Sequence, residues 1–204
     1  MNRFSLIRPI AATVAAMTLS ACALLSTPEA VQAYRFGGVP ASTAAAAVAS
    51  PVQVTLRRVE FPEAVEGDRM LGVTGTETAY IAGARWVSPA SDLYMESIEN
   101  AFAAQATRVR LIGARELTRG QKSLDIDVRS FEARYDARGR APTIVVTARA
   151  RLLTLPERTV TAEQVFTVER PAAENRVSAI VEAFDTATRD LNSQIVVWTD
   201  ASAG

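Results

Sequence analysis

Three consecutive stretches of strict alternation, followed by one long amphipathic run, leave this chain few ways to fold. "SLDIDVRSFEARY" sets Leu124, Ile126 and Val128 against Asp125, Asp127 and Arg129. "PTIVVTARARLLTL" sets Ile144, Val146, Ala148, Ala150 and Leu152 against Thr147, Arg149 and Arg151, and "RTVTAEQVFTVE" is the third. Successive side chains of a strand point to opposite faces, so each stretch reads as a half-buried strand. Asp136–Arg140 and Leu155–Arg158 supply the turns, and strands joined by short turns make an antiparallel meander. The period then becomes helical. From about Ala172 to Leu191, Val177, Ile180, Val181, Phe184, Ala187 and Leu191 share one stripe, which Ile195 extends, and the element ends near "IVVWTD".

The elements upstream are shorter. "PVQVTLRRVEFP" alternates Val52, Val54 and Leu56 with Gln53, Thr55 and Arg57, which predicts a strand at the start of the body near Pro51. Thr74-Gly75 between two β-prone runs predicts a hairpin. Ser88-Pro89 predicts a helix over about 89–106, with Ser88 as N-cap and Pro89 first, its apolar face built from Tyr94, Ile98, Ala101 and Phe102. "VRLIG" is a short strand. The expected fold is α/β: a two-layer or three-layer sandwich of a mostly antiparallel mixed sheet and two amphipathic helices.

The N-terminus has a different logic. Arg3 and Arg8 are the only charges before Cys22, the sole cysteine, and an apolar run from Pro9 to Leu19 separates them from it. A basic start, a short apolar middle and small residues are the order of a secretory signal. The middle is shorter than the roughly 20 residues that span a bilayer. Leu19-Ser20-Ala21-Cys22 resembles the lipobox of bacterial lipoproteins, which implies cleavage before Cys22 and acylation of its thiol and new amine. Ordinary signal cleavage beside a stray cysteine is the plainer alternative. Ala23 rather than Asp after the cysteine implies, by the sorting rule of enteric bacteria, the outer membrane. The expected divisions are 1–21 signal peptide, 22–50 acylated cysteine and tether, and 51–204 a single domain. Tyr34 and Phe36 stand out in the otherwise low-complexity tether and dock either on the body or on a neighbour.

Removing residues 1–21 from the 204 leaves 183, enough for one domain with a full core. Two arginines go with the signal, so the 22 basic and 22 acidic residues become a balance of −2, which gives no field to hold nucleic acid. No histidine occurs anywhere. With Cys22 acylated, the chain lacks the favoured ligands of a transition metal and the commonest general base, so neither metal nor cofactor is expected. Asp125 and Asp127 are a carboxylate pair, but the simpler reading is a solvated strand face with Arg149 and Arg151 as cross-strand partners. "RFGG" and "GVTG" lack the lysine and the strand–loop–helix context of a phosphate loop and read as turns. Trp86 at the head of the first helix reads as a buried staple or as a ligand or partner contact.

Together these features resemble the ABC-type transport auxiliary lipoprotein family, which includes the lipoprotein of the paraquat-inducible transport system. The matching residues are the lipobox, Tyr34, a strand with Val52, Val54, Val59 and Pro62, and "TAYIAGARWVSPASDLYMESIENAF". Leu124, Phe131 and the final helix followed by Trp198 complete the pattern. The segment Arg69–Leu71 and "RFGG" depart from it. The resemblance implies an α/β sandwich without enzymatic activity, anchored by its acyl chains and facing the periplasm. Its implied partners are a mammalian-cell-entry (MCE) domain protein and an ABC transporter of lipids. A homo-oligomer is a further expectation, since one small domain offers little surface to grip a larger assembly. Tyr34, Phe36 and Trp86 are the candidate partner contacts. An envelope assembly lipoprotein without lipid cargo is the competing reading, and a periplasmic hydrolase without histidine is the least favoured.

Overall fold

The computed structural model describes residues 31–38, 50–113, 116–118 and 120–203. Leu19, Ser20, Ala21 and Cys22 lie outside the described residues. The chain divides at Val31, and the folded unit runs from Gln32 onward.

The meander forms as its alternation dictates. β7 (Lys122–Tyr135), β8 (Thr143–Thr154) and β9 (Thr159–Pro171) pair antiparallel in sequence order. A β-bulge between Val128 and Ser130 inserts Arg129 and shifts the phase of β7. The buried row therefore runs Leu124, Ile126, Val128 and then Phe131 and Ala133. The other edge of β7 is shared. Its first half pairs in parallel with β2 (Val52–Glu60), and its end with β3 (Leu71–Thr74). β6 (Val109–Ile112) extends the sheet beyond β2, also in parallel, and β4 (Glu77–Tyr80) extends it beyond β3 as the expected hairpin. These seven strands form one mixed sheet. The loop from β6 to β7 crosses β2 so closely that a Cβ on Gly120 would sit 2.4 Å from the Gln53 carbonyl oxygen, so only glycine fits there.

Among the described residues the helices are three. α1 (Glu63–Glu66) is a single turn, α2 spans Ala90–Gln105, and α3 spans Val177–Ser202. α2 and α3 pack on each other, α3 on β8 and β9, and α2 beside β2 and β6. Their buried residues join the inner rows of the sheet in one core, so the architecture is a two-layer sandwich.

α2 begins one residue later than expected. Pro89 is the N-cap, and the Ala90 N–H donates to the Gly67 carbonyl instead of to a Ser88 cap. α3 begins five residues late, because the Ala172 N–H still closes β9 onto the Pro142 carbonyl. It then runs on through Ile195, Val196 and Thr199, all buried. Burial of that stripe overrides the strand preference of Ile195-Val196-Val197. The last turn is held by Lys122, whose Nζ donates to the Ala203 carbonyl at 2.8 Å. The Asp200 carboxylate accepts from the backbone N–H of Thr107 (2.7 Å) and of Val109 (3.0 Å), which ties α3 to the start of β6.

The body does not start at Pro51. Residues Gln32–Tyr34 form β1, which pairs in parallel with β5 (Ala84–Trp86) in a separate two-stranded sheet. The stretch expected as tether, 22–50, therefore contains a segment of the folded domain.

Candidate functional site: the docked arm and the open sheet face

The arm is built from backbone pairing plus one aromatic plug. The Gln32 N–H donates to the Gly83 carbonyl at 2.9 Å, and the Val87 N–H to the Tyr34 carbonyl at 2.7 Å. Two residues on, Phe36 enters the core and is 1 % exposed. Its ring lies 4.9 Å edge-on to Trp86 and 5.1 Å from Phe131. Trp86 in turn stands edge-on to Phe184 of α3 at 5.4 Å. Such contacts add about 0.5–1.5 kcal/mol per pair beyond simple burial. Gly37 then turns the arm away with φ +72°, and a Cβ there would lie 2.5 Å from Ser97 Cβ of α2. The Gly37 N–H donates to Asp185 Oδ1 of α3 at 2.8 Å, and Arg35 pairs with Glu96 of α2. One short segment thus touches β5, β7, α2 and α3.

This placement corrects the expectation for two of the three candidate partner contacts. Phe36 and Trp86 fill the domain's own core, so neither ring has surface left for another molecule; Tyr34 is half-buried beside them. Of the two readings of Trp86, burial prevails. "RFGG" is likewise the end of the arm rather than a free turn. The three-residue strand is too short to show a period. The only signal for it is the pair of aromatics inside a bland stretch.

The second feature is the sheet face turned away from the helices. Asp125 and Asp127 stand opposite Arg151 and Arg149 in register, as the alternation predicts. Asp125 is only 3 % exposed. It accepts from Arg57 Nε at 2.9 Å and from a second guanidinium nitrogen of the same arginine, a bidentate pair, with Arg151 at 3.9 Å. The carboxylate raises the Arg57 pKa further above its ordinary value through this hydrogen bond and charge. Asp127 pairs with Arg149 at 3.0 Å and Arg129 at 3.5 Å, and Glu132 with Arg134 at 2.6 Å. The carboxylates are thus engaged by guanidinium groups. No cluster of three metal-ligating side chains occurs among the described residues.

Beside this ladder lies an open groove of about 770 Å³. It occupies the notch where β2 has left β7 and β3 has not yet joined it. Arg58, Glu60, Phe61, Asp127 and Arg129 line it. The groove has no signature in the sequence, because it depends on two strands sharing one edge of β7.

β9 is the longest of the strands left at an edge of the sheet, the others being β4 and β6. Among the described residues β9 pairs only with β8, and Val160 and Val165 along it are about half exposed. No helix of the described residues is long and apolar enough to cross a membrane.

Residues 34–196 match the sequence profile of the family described as the ABC-type transport auxiliary lipoprotein component. The fold is shared with a Xanthomonas campestris protein of the DUF330 family at 23 % identity and TM-score 0.67, covering 85 % of this chain and 94 % of that one. It is also shared with an uncharacterized protein at 15 % identity and TM-score 0.65, covering 83 % and 99 %. A hypothetical protein from Chlamydia trachomatis aligns at 10 % identity and TM-score 0.50, covering 76 % and 98 %. No curated protein matches by sequence.

Proposed function

Because the chain belongs to the family of ABC-type transport auxiliary lipoprotein components, we propose that it is a non-enzymatic docking subunit of a lipid-transport system. In this reading Cys22 carries the acyl chains and holds the protein on the periplasmic side of the outer membrane. The folded domain receives the periplasmic MCE-domain protein that works with an inner-membrane ABC transporter, and phospholipid is the cargo class.

The observation that carries the reading is the family match, which spans the described domain from the arm to α3. The structure supports a docking role in two ways. The carboxylates of the open face are engaged in ion pairs rather than poised beside a base or nucleophile. β9 offers a long free edge with two half-exposed valines, and an exposed strand edge is a ready template for an added strand. The dock therefore lies on the β9 edge and the adjoining open face. Copies of the domain that assemble through other edges would multiply such docks.

The test is the mass of the soluble form from Ala23 onward, alone and mixed with an MCE-domain protein of the same organism. A joint complex is expected, weakened in Val160→Arg/Val165→Arg. A domain that ignores that protein, with the double variant behaving identically, contradicts the reading.

A further inference from the structure

We propose that the corner of the domain formed by β1, β5 and the Arg69–Tyr80 stack faces, and touches, the headgroup layer of the membrane that holds Cys22. The inference rests on the acylation of Cys22 proposed above.

The first argument is the leash. Because β1 is paired to β5 and Phe36 is locked in the core, the body begins at Gln32 rather than near Pro51. Nine residues, 23–31, separate Cys22 from Gln32. Ten residue steps reach about 35 Å when fully extended. A domain of this length is roughly 40 Å across. The leash is thus shorter than the body is wide, and the point of attachment sets which side meets the bilayer.

The second argument is what stands at that point. Backbone bonds from Trp86 N–H to the Asp68 carbonyl and from Ile81 N–H to the Met70 carbonyl place the 68–70 segment alongside β5. The Arg69 guanidinium lies 3.7 Å over the Tyr80 ring. Tyr80 is 37 % exposed and Val87, just past β5, is 56 % exposed. Arg85 on β5 is half exposed and pairs loosely with Asp68 at 3.6 Å. Tyrosine and arginine each carry an apolar body and a polar tip, the chemistry that settles at headgroup depth. The guanidinium groups suit lipid phosphates, and Val87 adds apolar surface among them. The occupant is therefore a lipid surface rather than a protein groove.

The experiment uses the full acylated chain in vesicles of phosphatidylethanolamine and phosphatidylglycerol, with no other protein present. Val87→Cys supplies a free thiol for an environment-sensitive fluorophore, and Val165→Cys on the β9 edge is the comparison; both sites are exposed. Fatty-acid incorporation at Cys22 is measured on the same samples. The expected result is a blue shift and quenching by headgroup-depth quenchers at position 87, with neither at 165. Label at 87 that stays fully aqueous on acylated, vesicle-bound protein, or equal responses at the two positions, overturns the proposal while leaving the anchor intact. Absence of acylation or of vesicle binding overturns both.

Discussion

Phe36 is the residue on which the arm depends. Its ring closes an aromatic cluster with Trp86, Phe131 and Phe184, so removing it opens a cavity that elements on all sides help to line. Phe36→Ala is expected to cost about 3–5 kcal/mol, the range for a buried phenylalanine. Val165→Ala on the exposed edge should stay within about 0.5 kcal/mol. Urea unfolding of the two variants separates them, and equal midpoints would show that the arm does not belong to the core. Tyr94 gives a prediction in pH. It is fully buried, its hydroxyl has no hydrogen-bond partner among the described residues, and burial pushes its pKa up. Above pH about 10 the unfolded chain gives up this proton while the folded chain holds it. The folded state then binds more protons, so stability falls as pH rises through that range. Tyr94→Phe removes the effect: at neutral pH the variant should be as stable as the parent or more so, and its melting temperature should fall less steeply above pH 10.

At the scale of elements, α3 is the helix that closes the sandwich, packing on α2, β8 and β9. Phe184→Ala on its buried stripe should cost about 3–5 kcal/mol. Glu182→Ala on its exposed face should stay within about 0.5 kcal/mol. Thermal melts of the pair check this, and indistinguishable curves would contradict the stripe. This helix and the β7–β8–β9 meander are legible in the sequence because their periods persist over a dozen residues or more. The pairing of Asp125 and Asp127 with Arg151 and Arg149 is legible for the same reason, since register follows from alternation. The parallel pairing of β2 with both β6 and β7 is not, because parallel neighbours are set by tertiary contacts rather than by turns. Nor is the bulge at Arg129, whose effect shows only as Phe131 falling on the same face as Val128. β1 and β5 are three residues each, too short for a period, and the arm that carries β1 lies in a stretch with the composition of a tether.

For the whole molecule, the described features combine into one mixed sheet with two unlike faces. One face of the sheet is sealed by two helices. The other carries a lattice of arginine–carboxylate pairs, and one long edge is free. The partly exposed pairs of Asp127 with Arg149 and of Glu132 with Arg134 contribute little to stability but fix which charge faces outward, whereas Asp125 is buried against Arg57. Binding that uses this face should therefore weaken as salt rises. The central claim is that an acyl-anchored domain recruits the periplasmic part of the transporter to its own membrane. The most direct measurement is flotation of vesicles bearing the full acylated protein after mixing with the soluble MCE-domain protein. The MCE protein should float with wild-type vesicles and stay at the bottom of the gradient with Cys22→Ser, which cannot be anchored. An MCE protein that stays at the bottom in both cases, although the wild-type lipoprotein itself floats, would contradict the account.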